Sequence, residues 1–240
     1  LELICSMTSS NEKEPFIVGS GSPESDLTVD EMRQIVEEAL TGVPSGSRVL
    51  AIIPDKTRDD NTHILFPQAA AALAANGVTQ IDALVAQGTH SPMTEAEKLT
   101  KIGAKSFADI PNLGHIFDHR WDTPEDLVNI GELPGDEVSR ITAGLFNESI
   151  PLAINRLAAP SVYDVILIFG ATVPHEVAGF AGGAKYFFPG IAGAQLTHKT
   201  HWLAALATIE KIIGRIETPT RHLIEAATDR ITAKVITFTS

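Results

Sequence analysis

Three short apolar runs constrain this chain more than anything else in it: VLAII (residues 49–53), IDALV (81–85) and VILIFG (165–170). They are short, rich in β-branched residues and almost free of polar alternation. That is the signature of strands covered on both faces, because a strand with one wet face alternates. Helical spacing fills the intervals. In residues 26–43, Val29, Met32, Ile35, Val36 and Leu40 recur every three or four positions, and Thr28 with Glu31 forms a capping-box pattern at the start. Residues 63–78 read as a helix that stops at Asn76-Gly77. Residues 94–103, 194–214 and 219–231 are also predicted helical, 115–121 as a short strand, and 233–240 as a strand running to the last residue. Strands alternating with helices predict an α/β fold: a Rossmann-like, mostly parallel sheet with helices on both faces.

Residues 26–240 are therefore read as one α/β domain that binds a cofactor and performs catalysis. Residues 1–25, polar and turn-rich from Met7 onward, are read as a flexible N-terminal segment. The close inside a strand fits the N-terminal domain of a two-domain protein. A net charge of -12 argues against nucleic acid or an anionic membrane as a bulk partner. No run reaches the ~20 apolar residues of a membrane span, and the opening LELICSM lacks the basic flank of a signal peptide. The expected location is cytoplasmic. Cys5 is the only cysteine, so an internal disulfide and a thiolate cluster are both excluded, and any metal must rely on His, carboxylate or a ligand brought with a cofactor.

Polar motifs follow three of the strands: PDKTR (54–58), QGTH (87–90) and VPHEVAGFAGGAK (173–185). The carboxyl ends of parallel strands form the ligand crevice of an open sheet, so the three motifs predict one site. The glycine-rich motif is not a phosphate loop, because Ala184 and Tyr186 flank Lys185 where Gly-Lys-Ser/Thr is required. Its glycines instead clear space beside Lys185, and a lysine desolvated there is nucleophilic or acylatable, which points to covalent attachment of a cofactor. Two histidine pairs, His115/His119 and His198/His201, have helical spacing, but no HExxH motif accompanies them. His63, His115, His119, His198 and His222 read as surface or hydrogen-bonded residues.

PDKTR, QGTH, VPHEVAGFAGGAKYFFPGIAG and the later THKTHW together resemble the nickel-pincer lactate racemase family, whose members racemise or epimerise 2-hydroxy acids. The resemblance runs from about Val49 to Trp202 and implies the following. A nicotinic-acid-derived nickel-pincer nucleotide is joined to Lys185 as a thioamide, and Ni(II) is held by the cofactor's own atoms and by His201. His90 and His175 are acid/base residues on opposite sides of the substrate. Asp55 and Arg58 are pocket residues: Arg58 pairs with a carboxylate or steadies the cofactor, and Asp55 bonds the ring or orients a histidine. The implied partners are a small 2-hydroxy acid and the enzymes that make the cofactor. Family members are about twice this long, with a second domain that closes the cleft. The competing readings are a non-catalytic carboxylate- or metal-binding module of the same fold, and a hydrolase with a histidine-bound metal.

Overall fold

The computed structural model describes residues 3–8, 16–20, 24 and 26–240. The elements in chain order are β1 (Leu3–Thr8), β2 (Phe16–Ser20), α1 (Val29–Leu40), β3 (Val49–Ile53), α2 (Thr62–Ala75), β4 (Ile81–Val85), α3 (Glu95–Lys101), β5 (Leu113–Asp118), β6 (Leu127–Leu133), α4 (Gly135–Ile141), β7 (Ile150–Asn155), β8 (Val165–Gly170), β9 (Pro174–His175), β10 (Gly179–Phe180), α5 (Ala194–Ala207), α6 (Pro219–Thr228) and β11 (Lys234–Thr239). The main sheet has the order β2-β1-β11-β8-β3-β4-β5. Its five strands from β11 to β5 are parallel, as the alternation predicts. Within residues 1–25, β1 and β2 add two antiparallel strands at the β11 edge; the turn-rich stretch between and after them lies outside the described residues.

The sheet separates two apolar layers. Val49, Ala51 and Ile53 of β3 pack with α1, α2 and α3, while Leu50 and Ile52 point to the other face, among residues of α4, α5, α6 and the β6–β7 hairpin. This is the period-two alternation of a strand whose two faces are both covered. The one polar residue of the buried β4 run is satisfied: Asp82 accepts from the Tyr163 hydroxyl at 2.8 Å and from the His115 backbone N–H at 2.7 Å. The Thr28–Glu31 capping box forms at the head of α1. An equivalent box, Thr94 with Glu97, opens α3.

Beyond β1 and β2, two strands in a segment read as flexible, two further features depart from the sequence reading. The helix expected over residues 194–214 ends at Ala207, where Thr208 adopts φ 71°. No proline or glycine stops it there. The chain turns so that the Gly214 N–H can reach the Gly179 carbonyl at 2.8 Å, a long-range contact that outweighs local helix propensity. The second departure is the β6–β7 hairpin with α4, in a stretch where no element was predicted. It stands beneath the glycine-rich segment: the Asn155 N–H donates to Ile191 O at 2.8 Å, the Gly193 N–H to Ala153 O at 2.8 Å, and Ile154 bridges Ala192.

Gly103, just after α3, has φ 75°, and a Cβ there would lie 2.0 Å from the His63 carbonyl oxygen of α2. Gly103→Ala is expected to cost about 2–5 kcal/mol, from left-handed strain plus a forced separation of α2 and α3. Urea denaturation measures this directly, and a loss below about 1 kcal/mol would mean that the helices part easily.

Candidate active site

Moving outward from β3 in the main sheet, the chain runs to β4 and β5 on one side and returns to β8 and β11 on the other, so β3 and β8 flank the point where strand order reverses. Clefts of parallel sheets open at that point, beyond the carboxyl ends of the strands. A cavity of about 390 Å³ lies there, and Asp55, Arg58, His90, His175, Lys185 and His201 all line it. The structure thus brings together every site residue expected from the sequence. Gln87, Thr57, Tyr186, Glu176 and Thr197 line it as well.

The loop after β3 supplies Asp55, which is 3% exposed. Its Oδ1 accepts from the Thr57 backbone N–H at 2.8 Å and from the Thr57 hydroxyl at 2.5 Å, a local turn typical of Asp. Its Oδ2 lies 2.5 Å from His90 Nδ1. Burial pushes the Asp55 carboxyl up, but the bonds from Thr57 and His90 outweigh it and hold the group below its ordinary value. Asp55 thus joins the loop after β3 to His90 in the loop after β4. Arg58 makes no side-chain ion pair among the described residues, so no loop salt bridge neutralises it. Its backbone is fixed from α3: Lys101 Nζ donates to the Arg58 carbonyl at 2.7 Å and pairs with Asp60 at 2.6 Å. Lys56 pairs with Glu97 of α3 at 2.7 Å.

His175 sits in the β9–β10 hairpin, 7% exposed. Its Nδ1 accepts from the backbone N–H groups of Val177 at 3.1 Å and Ala178 at 3.4 Å. Burial, then the charges of Lys185, Arg58 and His201, lower it to about 4 against the opposing pull of Glu176, so the ring is neutral at pH 7. The hairpin turns at Gly179, where φ is 81° and a Cβ would lie 1.9 Å from the Arg215 carbonyl oxygen. Buried Arg221 of α6 donates to the Phe180 carbonyl and braces the same turn.

Lys185 follows in a short helical turn, Gly183–Tyr186. Its ammonium makes no hydrogen bond or ion pair among the described residues. Desolvation first, then the nearby Arg58 guanidinium, lower it to about 8. On α5, His201 Nδ1 lies 2.7 Å from the Thr197 carbonyl oxygen and must donate to it, which leaves Nε2 as the bare nitrogen of the neutral ring. His198, three residues earlier, is exposed, packs edge-on against Trp121 at 6.0 Å and does not line the cavity. Of the other histidines, His119 is buried with Nε2 2.9 Å from the Ala192 carbonyl oxygen. His222 bonds Glu217 at 2.8 Å, and His63 and His115 are exposed.

Residues 28–212 match the lactate racemase N-terminal domain. The chain belongs to that family. It is 31% identical over 156 residues to the lactate racemase of Lactiplantibacillus plantarum, and 28% identical over 154 residues to that of Thermoanaerobacterium thermosaccharolyticum. Each match covers 64% of this chain and 32% of the relative, so the matched region is about a third of the length of these lactate racemases. Among solved structures, a Thermotoga maritima protein superposes with a TM-score of 0.81 at 32% identity, over 89% of this chain and 51% of that one. The T. thermosaccharolyticum lactate racemase apoprotein shares the fold, with a TM-score of 0.64 at 23% identity over 98% of this chain and 55% of that one. The match to the lactate racemase domain contains all six site residues.

Several partners in the site escaped the sequence reading. Thr57 carries a local signal, the Asp-x-Thr spacing of a turn. The pairing of Asp55 with His90, 35 residues apart, and the backbone donors on His175 have no local signal.

Proposed function

We propose that this chain is the cofactor-holding and proton-transferring domain of a racemase or epimerase acting on a lactate-like 2-hydroxy acid. The observation that carries the reading is the convergence of an unpaired, desolvated Lys185, a His201 with free Nε2 and two further histidines on one cavity.

The residues fit a lysine-tethered nickel-pincer nucleotide. Lys185 at about 8 has a substantial free-amine fraction near neutral pH, as formation of a thioamide requires. The Thr197 carbonyl fixes the His201 ring, and such an outer partner commonly orients a metal-binding imidazole. Among the described residues no group of three His, Cys, Asp or Glu is placed to hold a metal, so the cofactor must bring the remaining ligands. Imidazole with soft sulfur donors suits Ni(II). Held by Lys185 and His201, such a cofactor would supply a reversible hydride acceptor for C2 of the substrate.

The chain's own groups do the rest. Arg58, whose side chain has no ion pair among the described residues, is placed to pair with the substrate carboxylate. His90, backed by the Asp55 carboxylate, takes the hydroxyl proton at Nε2. His175 faces the substrate as the second histidine of an acid/base pair. Burial of His175, 7% exposed, limits exchange of its proton with bulk water.

The test is the intact mass of the chain co-expressed with the cofactor-making enzymes, followed by a racemisation assay with each lactate enantiomer. Added mass on the Lys185 peptide and interconversion of the enantiomers are expected. An unmodified chain that still binds carboxylates is instead a binding module of the same fold. The metal assignment has its own check. His198 and His201 lie about 300° apart around α5, so His201→Ala is expected to reduce nickel in the purified protein to background. His198→Ala is expected to leave it near wild type, and the reverse pattern would reject His201 as the ligand.

A further inference from the structure

His90 and His175 are held in unlike ways. Among the described residues, the one hydrogen-bond partner of His90 Nδ1 is the Asp55 carboxylate at 2.5 Å, whose other oxygen already accepts from Thr57. An ionised carboxylate only accepts, so the hydrogen sits on Nδ1 and the neutral ring leaves Nε2 bare. His175 has the opposite surroundings. Two backbone N–H groups, from Val177 and Ala178, aim at its Nδ1, and a hydrogen on that nitrogen would meet both donors head on. The neutral His175 ring therefore carries its hydrogen on Nε2. The Glu176 carboxylate stands 3.6 Å from the same Nδ1, beyond hydrogen-bond range.

The charges divide in the same sense. Asp55 lies under His90, whereas burial, Lys185, Arg58 and His201 together disfavour a second proton on His175 against the opposing pull of Glu176.

We propose that the two histidines are set in opposite tautomers in the resting protein, so that His90 accepts the hydroxyl proton of the ligand at Nε2 while His175 begins as an Nε2–H donor to a ligand oxygen. Before His175 can accept a proton at Nε2, its own hydrogen must leave that atom, and moving it to Nδ1 sacrifices the bonds from Val177 and Ala178. The cavity is thereby polarised. It orients a 2-hydroxy acid with its hydroxyl toward His90 and its carboxylate toward the side shared by Arg58, Lys185 and His175. These roles rest on the racemase reading given above; the tautomers themselves do not.

The test needs neither cofactor nor activity. Long-range ¹H–¹⁵N correlation spectra of the protein labelled at histidine, recorded just above neutral pH, report which ring nitrogen carries hydrogen. His90→Gln and His175→Gln assign the signals. Buried His119, whose Nε2 donates to Ala192, is the internal control for an intact fold in each variant. The expected result is hydrogen on Nδ1 in His90 and on Nε2 in His175. Asp55→Asn is expected to shift His90 away from the Nδ1–H form and leave His175 unmoved. Hydrogen on Nε2 of His90, on Nδ1 of His175, or on both nitrogens of His175 would overturn the proposal. If the tautomers are as expected and the loaded protein leaves both lactate enantiomers unchanged, the racemase reading alone fails.

Discussion

Lys185→Ala is expected to leave the protein with no covalently attached cofactor and no racemase activity above background. The argument begins with desolvation. The side chain lies partly buried in a glycine-lined turn with no anion bonded to it, and the Arg58 guanidinium lowers it further, to about 8. At pH 7 roughly one molecule in ten then carries a free amine, against about one in two thousand five hundred for a lysine at ~10.4. The sign is that of a depressed amine: the uncharged, nucleophilic form is populated from pH 7 upward, well below the range of surface lysines. Acylation mapped by peptide mass should therefore mark Lys185 ahead of the other lysines, with a midpoint near 8. Among the described residues Lys185 is the only lysine that lines the cavity, so alanine leaves no substitute amine there. Retention of the added mass in Lys185→Ala would show that attachment is elsewhere or not covalent.

His90→Ala should behave differently. The side chain is 45% exposed, so its removal opens little core and the fold should persist. Cofactor mass and nickel should also remain, because Lys185 and His201 are untouched. On the proposed reading the variant lacks the proton acceptor backed by Asp55, and loss of a general base costs about 10²–10⁴-fold in rate. The measurement is single turnover by the cofactor-loaded protein with each pure enantiomer. Unchanged rates for both enantiomers, with cofactor retained, would remove His90 from the reaction. The two variants thus separate holding the cofactor from using it.

Much of this arrangement was legible because it depends on local pattern. The buried strands β3, β4 and β8 announced themselves as continuous apolar runs, and the motifs that follow them met in one cavity because parallel strands end on the same side of a sheet. The Thr28–Glu31 box is a contact three residues long and needs no tertiary information. What escaped depends on distance along the chain. The β6–β7 hairpin is interrupted by Asn129 and Gly131 and gains order from Ile191 and Ala192, which come later in the sequence. The bend at Thr208 answers to Gly179. His90 and Asp55 are both visible as polar residues after strands, yet the 2.5 Å contact that decides the chemistry of His90 exists only once β3 and β4 lie side by side.

The hairpin beneath the glycine-rich segment has a consequence for anyone wishing to move this chemistry to another scaffold. The motif around Lys185 looks self-contained on paper, a cassette to be cut at its ends and pasted into a different α/β protein. Its far end, however, is anchored through Ile191, Ala192 and Gly193 to backbone atoms of β7, while its near end is closed by Gly179 against the turn after α5. A graft of residues 173–190 alone would arrive without either anchor. A unit that keeps both anchors of the motif runs from the start of β6 through residue 214, with α6 carried along to brace Phe180, and it still lacks Asp55, Arg58 and His90 from the loops after β3 and β4.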